Sequence, residues 1–380
     1  MKTSTLIRTN HLRAIGRSTT LRISFLDTIR PPAVTLSVQP AKALHSVHRA
    51  TPTHTSHKLL RLPCNTTQFS TSTLTFTASQ TPSLSSSSSK TGTMATPTST
   101  SAAALIESAK KAAAYQAVAD HLPPTATYVG IGSGSTVVYV VEAIAAKGPA
   151  FSANMTFIPT GSQSKGLIRA AGLRLCNLDE RPLVDGVPVA LDVAFDGADE
   201  VDEELNLIKG GGACLFQEKL VAVAARKFIA VADSRKQSAR LCTKWKTIPI
   251  EVLPLAAPDV LSRLKAMGSP SPVVRSGLPS KAGECVTDNG MWIVDAPFPP
   301  LLLPKDLTAD VKGAGENGGV WEIGRLAEEL VRLPGVVEIG LFHGFNGVQA
   351  VSRGKEFQAQ KPVAAYFGTP TGEVQVQTAA

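Results

Sequence analysis

No run of the 380 residues comes near the roughly 18–20 consecutive apolar positions that a transmembrane helix needs, so no helical span and no membrane partner are expected. The five cysteines, Cys64, Cys176, Cys214, Cys242 and Cys285, include no C-x-x-C pair. Only two of the seven histidines, His121 and His343, lie beyond residue 100, and neither stands at ligand spacing from a cysteine. A zinc site or a disulfide framework is therefore not expected, and reduced thiols are. Acids are nearly absent from the N-terminal part: residues 1–100 hold eleven of the 38 Lys and Arg but a single acid, Asp27, a net charge of +10. The other 280 residues carry 27 basic and 29 acidic side chains, a net −2. The overall +8 belongs to the leader, and the rest of the chain offers no basic footprint for nucleic acid.

What the leader does contain is Ser, Thr and Arg, including the low-complexity run Ser85–Ser89. Arg8, Arg13, Arg17 and Arg22, with Leu6, Leu12, Ile15 and Leu21 interleaved, form a basic amphipathic pattern similar to a mitochondrial presequence. A disordered leader, or upstream sequence not always translated ahead of Met94, fits the same composition. In each case residues 1–100 carry no chemistry.

From residue 101 the hydrophobic pattern becomes periodic. Ala102–Ala119 reads as an alanine-rich helix ended by Pro123-Pro124. Strands are expected at Tyr128–Ile131, Thr156–Pro159, Leu173–Cys176, Val189–Phe195 and Phe228–Ala232, alternating with helices at Val137–Ala146, Ser164–Ala171 and Ala213–Arg226. This alternation predicts an α/β fold: a doubly wound, mainly parallel, Rossmann-like sheet over residues 101–247, with 348–380 returning to it as a hairpin. Residues 248–347 show the order β-α-β-β-α-β, which suggests a smaller ferredoxin-like α+β domain, interrupted by Pro297–Gly319 as a long surface loop. Ligands of doubly wound sheets bind at the carboxyl ends of the strands.

The informative residues lie in those turns. Gly132-Ser133-Gly134-Ser135-Thr136 joins a strand to a helix N-terminus, where two glycines admit an anion and three hydroxyls add donors. It lacks the third glycine of a dinucleotide fingerprint, Val137 standing in its place, and the Gly-Lys-Ser/Thr of a P-loop. An ordinary N-cap turn is the plain alternative. Asp196-Gly197-Ala198-Asp199-Glu200 puts two aspartates around a glycine turn, suited to moving hydroxyl protons or to capping. Lys209-Gly210-Gly211-Gly212 sets a mobile cation before a sharply bending loop. Glu218 shares a helix face with Cys214, Val221, Ala222 and Ala225, the apolar setting in which a carboxylate becomes a useful general base. The bland alternative is a solvated helix Glu beside Lys219.

The run Phe195–Lys236, FDGADEVDEELNLIKGGGACLFQEKLVAVAARKFIAVADSRK, with GIGSGST upstream and IPIEVLP, VTDNG and LPGVVEIGLF downstream, resembles the ribose-5-phosphate isomerase A family over residues 105–380. The resemblance implies an enzyme of the pentose phosphate pathway that interconverts ribose 5-phosphate and ribulose 5-phosphate without metal or cofactor. It implies a phosphate loop at Ser133, Gly134, Ser135 and Thr136, a substrate loop at Asp196, Gly197, Ala198 and Asp199, and a second one at Lys209, Gly210, Gly211 and Gly212. Glu218 matches the proton acceptor, Lys236 a substrate-contacting lysine, and Lys110 an N-terminal phosphate-contacting lysine. A homodimer or higher homo-oligomer in the cytoplasm is implied too, with mitochondria the alternative address if the leader is read. Sugar-phosphate-sensing modules of transcription regulators, coenzyme A transferases and nicotinamide-dependent dehydrogenases are the rival readings. The intact Asp196, Lys209 and Glu218, the phosphate loop and the missing third glycine argue against them in turn.

Overall fold

The computed structural model describes residues 102–355 and 358–379, so the expectations for residues 1–100 lie outside the described residues. Helix α1 (Ala102–His121) forms because alanine loses no side-chain freedom in a helix; Ala109, Ala113, Ala117 and Val118 recur at helical spacing and are buried. Next come β1 (Tyr128–Ile131), α2 (Val137–Ala146), β2 (Thr156–Pro159), α3 (Ser162–Ala170) and β3 (Val193–Asp196). Two short strands, β4 (Glu200–Val201) and β5 (Leu207–Ile208), lead to α4 (Leu215–Ala224) and the fully buried β6 (Phe228–Asp233).

The chain then builds β7 (Thr247–Val252), α5 (Ala257–Ala266), β8 (Val273–Val274), β9 (Trp292–Pro297), α6 (Ile323–Val331) and β10 (Val336–Ile339). These four strands pair antiparallel in the order β8-β9-β7-β10. Strand β11 (Leu341–Phe342) turns back and pairs with β5, and β12 (Ala364–Gly368) and β13 (Val374–Thr378) form the expected terminal hairpin.

The central sheet runs β13-β12-β6-β3-β1-β2, parallel throughout except for the final hairpin. Because β2 flanks β1 on one side and β3 on the other, strand order reverses there, and the carboxyl ends of β1 and β3 open the crevice. One sheet face packs against α1 and α2 through Val118, Val140, Ile144 and Phe157. Val221 and Ala222 of α4, with Leu207 and Phe342, cover the other. Each such large side chain contributes about 1.5–3 kcal/mol by leaving water. The antiparallel sheet has its own core around Ile250, Val260, Leu326 and Leu330.

Three expectations need correction. Leu173–Cys176 makes only a parallel bridge, Leu175 to Phe157, because the chain turns away at Asn177 into a short 3-10 helix, Leu178–Glu180. The last strand of the β-α-β-β-α-β order, expected over Val336–Phe342, is two strands, not one: at Gly340 the chain leaves β7 for β5, and a Cβ there would lie 2.3 Å from the Lys209 carbonyl oxygen. Pro297–Gly319 is not wholly a surface loop, since Phe298, Leu301 and Leu303 are buried as apolar anchors.

Candidate active site

The register of β1 on β3 pairs Ile131 with Phe195, which brings Gly132 against Asp196. The Gly132 N–H donates to Phe195 O (2.8 Å), and a Cβ at 132 would lie 1.9 Å from Asp196 Oδ1, so only glycine fits. Asp196 Oδ1 accepts from the N–H groups of Ser133 (3.0 Å) and Gly197 (2.7 Å). Its Oδ2 is 2.9 Å from the Lys209 ammonium, which also donates to Gly197 O at 2.6 Å. Lys209 enters from the end of β5, its own N–H donating to Gly340 O (2.9 Å).

Glu218, on the first turn of α4, reaches the same point. Its Oε1 accepts from Ser133 Oγ at 2.5 Å, while Oε2 lies 3.3 Å from Lys209 Nζ and, though buried, accepts no hydrogen bond. A buried carboxylate oxygen without a donor is costly, and such an atom in a native site calls for a functional explanation. Asp196, Lys209 and Glu218 are 3%, 3% and 5% exposed, so one ammonium faces two carboxylates out of water.

Burial, reinforced by the Glu218 charge, pushes the Asp196 carboxyl up to about 7, against the pull of Lys209. Burial opposes the charge of Lys209 too, but Asp196 and Glu218 outweigh it and hold the ammonium above its ordinary value. Lys209 stays charged, because two acidic side chains share this one cation. Burial also raises Asp199, although Gly211 N–H donates to its Oδ2 at 2.7 Å.

These groups open into a cleft of about 220 Å³ lined by Lys110, Ser133, Gly134, Ser135, Thr136, Gly197, Ala198, Asp199, Lys209, Gly210, Gly211, Gly212, Glu218 and Lys236. Every residue to which the family resemblance gives a site role is in that lining except Asp196. Of the two aspartates around the glycine turn only Asp199 lines the cleft, because Asp196 is occupied by Ser133, Gly197 and Lys209. The plain N-cap reading of the upstream turn is not what forms: the Thr136 hydroxyl accepts no N–H of α2. Lys110 Nζ donates to Ser135 Oγ (2.9 Å) and is held by Glu107 (2.7 Å). Glu218 is not the solvated helix residue of the bland alternative, being 5% exposed, nor does its neighbour Lys219 reach solvent. Lys219 is buried, donating to Glu338 (2.8 Å), Ile339 O (2.7 Å) and Leu341 O (2.8 Å).

Three side chains went unrecognised in the sequence. Arg235, beside Lys236 after β6, lines the cleft while paired with Asp233 at 2.7 Å; a basic pair at a strand's carboxyl end was the signal. Gln163 of α3 accepts from Gly134 N–H (2.7 Å), and nothing in its spacing announced it. Glu200, in the same pentapeptide as the aspartates, points elsewhere. It accepts from the Ser238 and Thr243 hydroxyls and the N–H groups of Cys242, Thr243 and Lys244, fixing the segment after Lys236. Among the described residues no three His, Cys, Asp or Glu side chains are grouped to hold a metal ion.

Residues 156–356 match the sequence model of ribose 5-phosphate isomerase A (phosphoriboisomerase A). The chain is 45% identical over 278 residues to a ribose-5-phosphate isomerase of Mycosarcoma maydis, covering 72% of this chain and 82% of that protein. It is 46% identical over 274 residues to one of Debaryomyces hansenii, covering 72% and 91%. Among solved structures, ribose 5-phosphate isomerase A of Methanocaldococcus jannaschii superposes with a TM-score of 0.55 at 30% identity, over 72% of this chain and 99% of that one. A D-ribose-5-phosphate isomerase in complex with phospho-erythronic acid gives 0.56 at 31% identity, with the same coverage. With a matching family model, relatives of this similarity and the same α/β fold around a mainly parallel sheet, the chain belongs to the ribose-5-phosphate isomerase A family.

Proposed function

We propose that the cleft interconverts D-ribose 5-phosphate and D-ribulose 5-phosphate by carrying a proton between C2 and C1 through a cis-enediolate. The observation that carries this reading is Glu218: a buried carboxylate with one oxygen free of donors, 3.3 Å from an ammonium, facing a sugar-sized cleft. Glu218 takes the C2 proton and returns it to C1, with Ser133 Oγ holding its other oxygen. Lys209 stabilises the enediolate oxygen, where a fixed charge in a dry site acts most strongly. Asp199 exchanges protons with the sugar hydroxyls during ring opening, and Asp196 supports Lys209 while moving a proton within the buried group. The Ser133–Thr136 turn at the α2 N-terminus, with Lys110 and Lys236, binds the phosphate and supplies the remote binding energy that orients the reacting carbons.

A phosphorylated four-carbon aldonic acid mimics the enediolate's charge at the correct distance from a phosphate. Phospho-erythronic acid should therefore inhibit competitively with ribose 5-phosphate, and erythronic acid far more weakly. Equal inhibition by both would overturn the phosphate assignment.

Residues 101–247 with 348–380 act as the catalytic unit and 248–347 as a ferredoxin-like one, which the antiparallel order β8-β9-β7-β10 supports. A homodimer or larger homo-oligomer, read by light scattering, and a cytoplasmic rather than mitochondrial address, read by fluorescent fusions with and without the leader, complete the proposal. No helix among the described residues is long and apolar enough to cross a membrane.

A further inference from the structure

Arg275 follows β8 at the edge of the antiparallel sheet, 39 residues beyond Lys236, the last residue in the cleft lining. Its guanidinium is gripped by Asp295 of β9 through two bonds, Nε to Oδ2 at 2.8 Å and Nη2 to Oδ1 at 2.6 Å. The remaining nitrogen, Nη1, donates to the carbonyl oxygens of Gly210 (2.8 Å) and Gly211 (3.1 Å). The side chain is only 17% exposed, and a bidentate pair of this geometry fixes a guanidinium in place.

The consequence follows from peptide geometry. In a trans peptide the N–H points opposite to the C=O, so drawing two successive carbonyls to one guanidinium turns both N–H groups to the other side. One of them, Gly211 N–H, meets Asp199 in the cleft at 2.7 Å. The other, Gly212 N–H, has no partner among the described residues, and Gly212 lines the cleft beside Lys209. Flexible glycines do not hold such an arrangement unaided. Gly210 sits at φ +103°, and three glycines in a row have many other conformations to visit.

We propose that Arg275, locked by Asp295, is a positioning residue for the isomerisation. It holds the 210–212 loop so that Gly212 N–H and Lys209 together face the developing enediolate oxygen, and it sets Asp199 through Gly211. The proposal rests on the isomerase reading and gives the antiparallel sheet a part in the chemistry.

The test is the steady-state kinetics of full-length R275M, R275K and D295N with ribose 5-phosphate, alongside competitive inhibition by inorganic phosphate. Loss of the clamp should lower kcat about 10²-fold in R275M, the scale of a misplaced reacting geometry. KM and the phosphate inhibition constant should stay within about threefold, because the phosphate turn makes no contact with Arg275. R275K should recover part of kcat, and millimolar guanidinium should raise kcat of R275M. Should R275M not fold, judged by near-UV circular dichroism, R275K and D295N decide: each should lose at least about fivefold in kcat. A wild-type kcat in any folded clamp variant, or a loss confined to KM, overturns the proposal. An inactive wild-type chain would instead overturn the isomerase reading beneath it.

Discussion

Glu218 has two unlike oxygens, one fixed by Ser133 Oγ and one that accepts no hydrogen bond and faces the Lys209 ammonium at 3.3 Å. Glu218→Gln keeps the shape and the Ser133 contact but removes the proton acceptor. It should cost about 10²–10⁴-fold in kcat, the usual worth of a general base, with little change in KM. Unimpaired turnover in this variant would take the base role from Glu218. Asp196 offers a second test, through stability. Its carboxyl is raised from an unperturbed value near 3.8 to about 7, so the folded state holds a proton that the unfolded chain has released. Stability from this group is full below pH ~4 and is lost as pH rises towards ~7. Asp196→Asn cannot titrate. In denaturant titrations its stability relative to wild type should therefore improve between pH 5 and pH 8, and parallel pH profiles would contradict the assignment. At this scale the sequence was readable wherever a residue sits in a motif with its partners close along the chain. Lys209 and Glu218 are nine positions apart and lie 3.3 Å from each other. Arg275 and Gln163 act on the loops from remote segments, and Glu200 turns the other way on its strand; spacing carries no record of either.

The element that grips phosphate is the β1–α2 turn, and two of its residues answer to different physics. Thr136 is 8% exposed and its hydroxyl caps nothing, which leaves it for a ligand. Thr136→Val should raise KM for ribose 5-phosphate about tenfold, the ~1.5 kcal/mol of a hydrogen bond to a charged acceptor. Inhibition by unphosphorylated sugar analogues should not change; if both weaken alike, the turn is not specific for phosphate. Gly132 is structural, since its backbone must pass the Asp196 carboxylate. The β1, α2, β2 and β6 segments were legible because apolar runs and turn residues coincide there. Short strands were not. Leu341–Phe342 and Leu207–Ile208 pair across more than 130 residues, and two-residue strands have no period to detect.

At the scale of the molecule, a small third sheet, β11-β5-β4, delivers Lys209 to the cleft of the central sheet, and Gly340 and Arg275 hold its loop from the antiparallel side. The mainly parallel sheet was legible from alternation alone. The joining of the two units was not, because it rests on backbone contacts such as Lys209 N–H to Gly340 O. Every residue lining the cleft lies between Lys110 and Lys236, so a chain begun at Met94 should fold and turn over like the full chain. Aggregation or inactivity of that shorter form would show that the leader takes part. The central claim is narrower: this cleft isomerises a sugar phosphate with its own side chains. The measurement that tests it most directly is ketose formation by the purified full chain from ribose 5-phosphate in the presence of EDTA. Sustained formation of ribulose 5-phosphate, undiminished by the chelator, is the result the account predicts; no ketose, or turnover that stops when metal is removed, would contradict it.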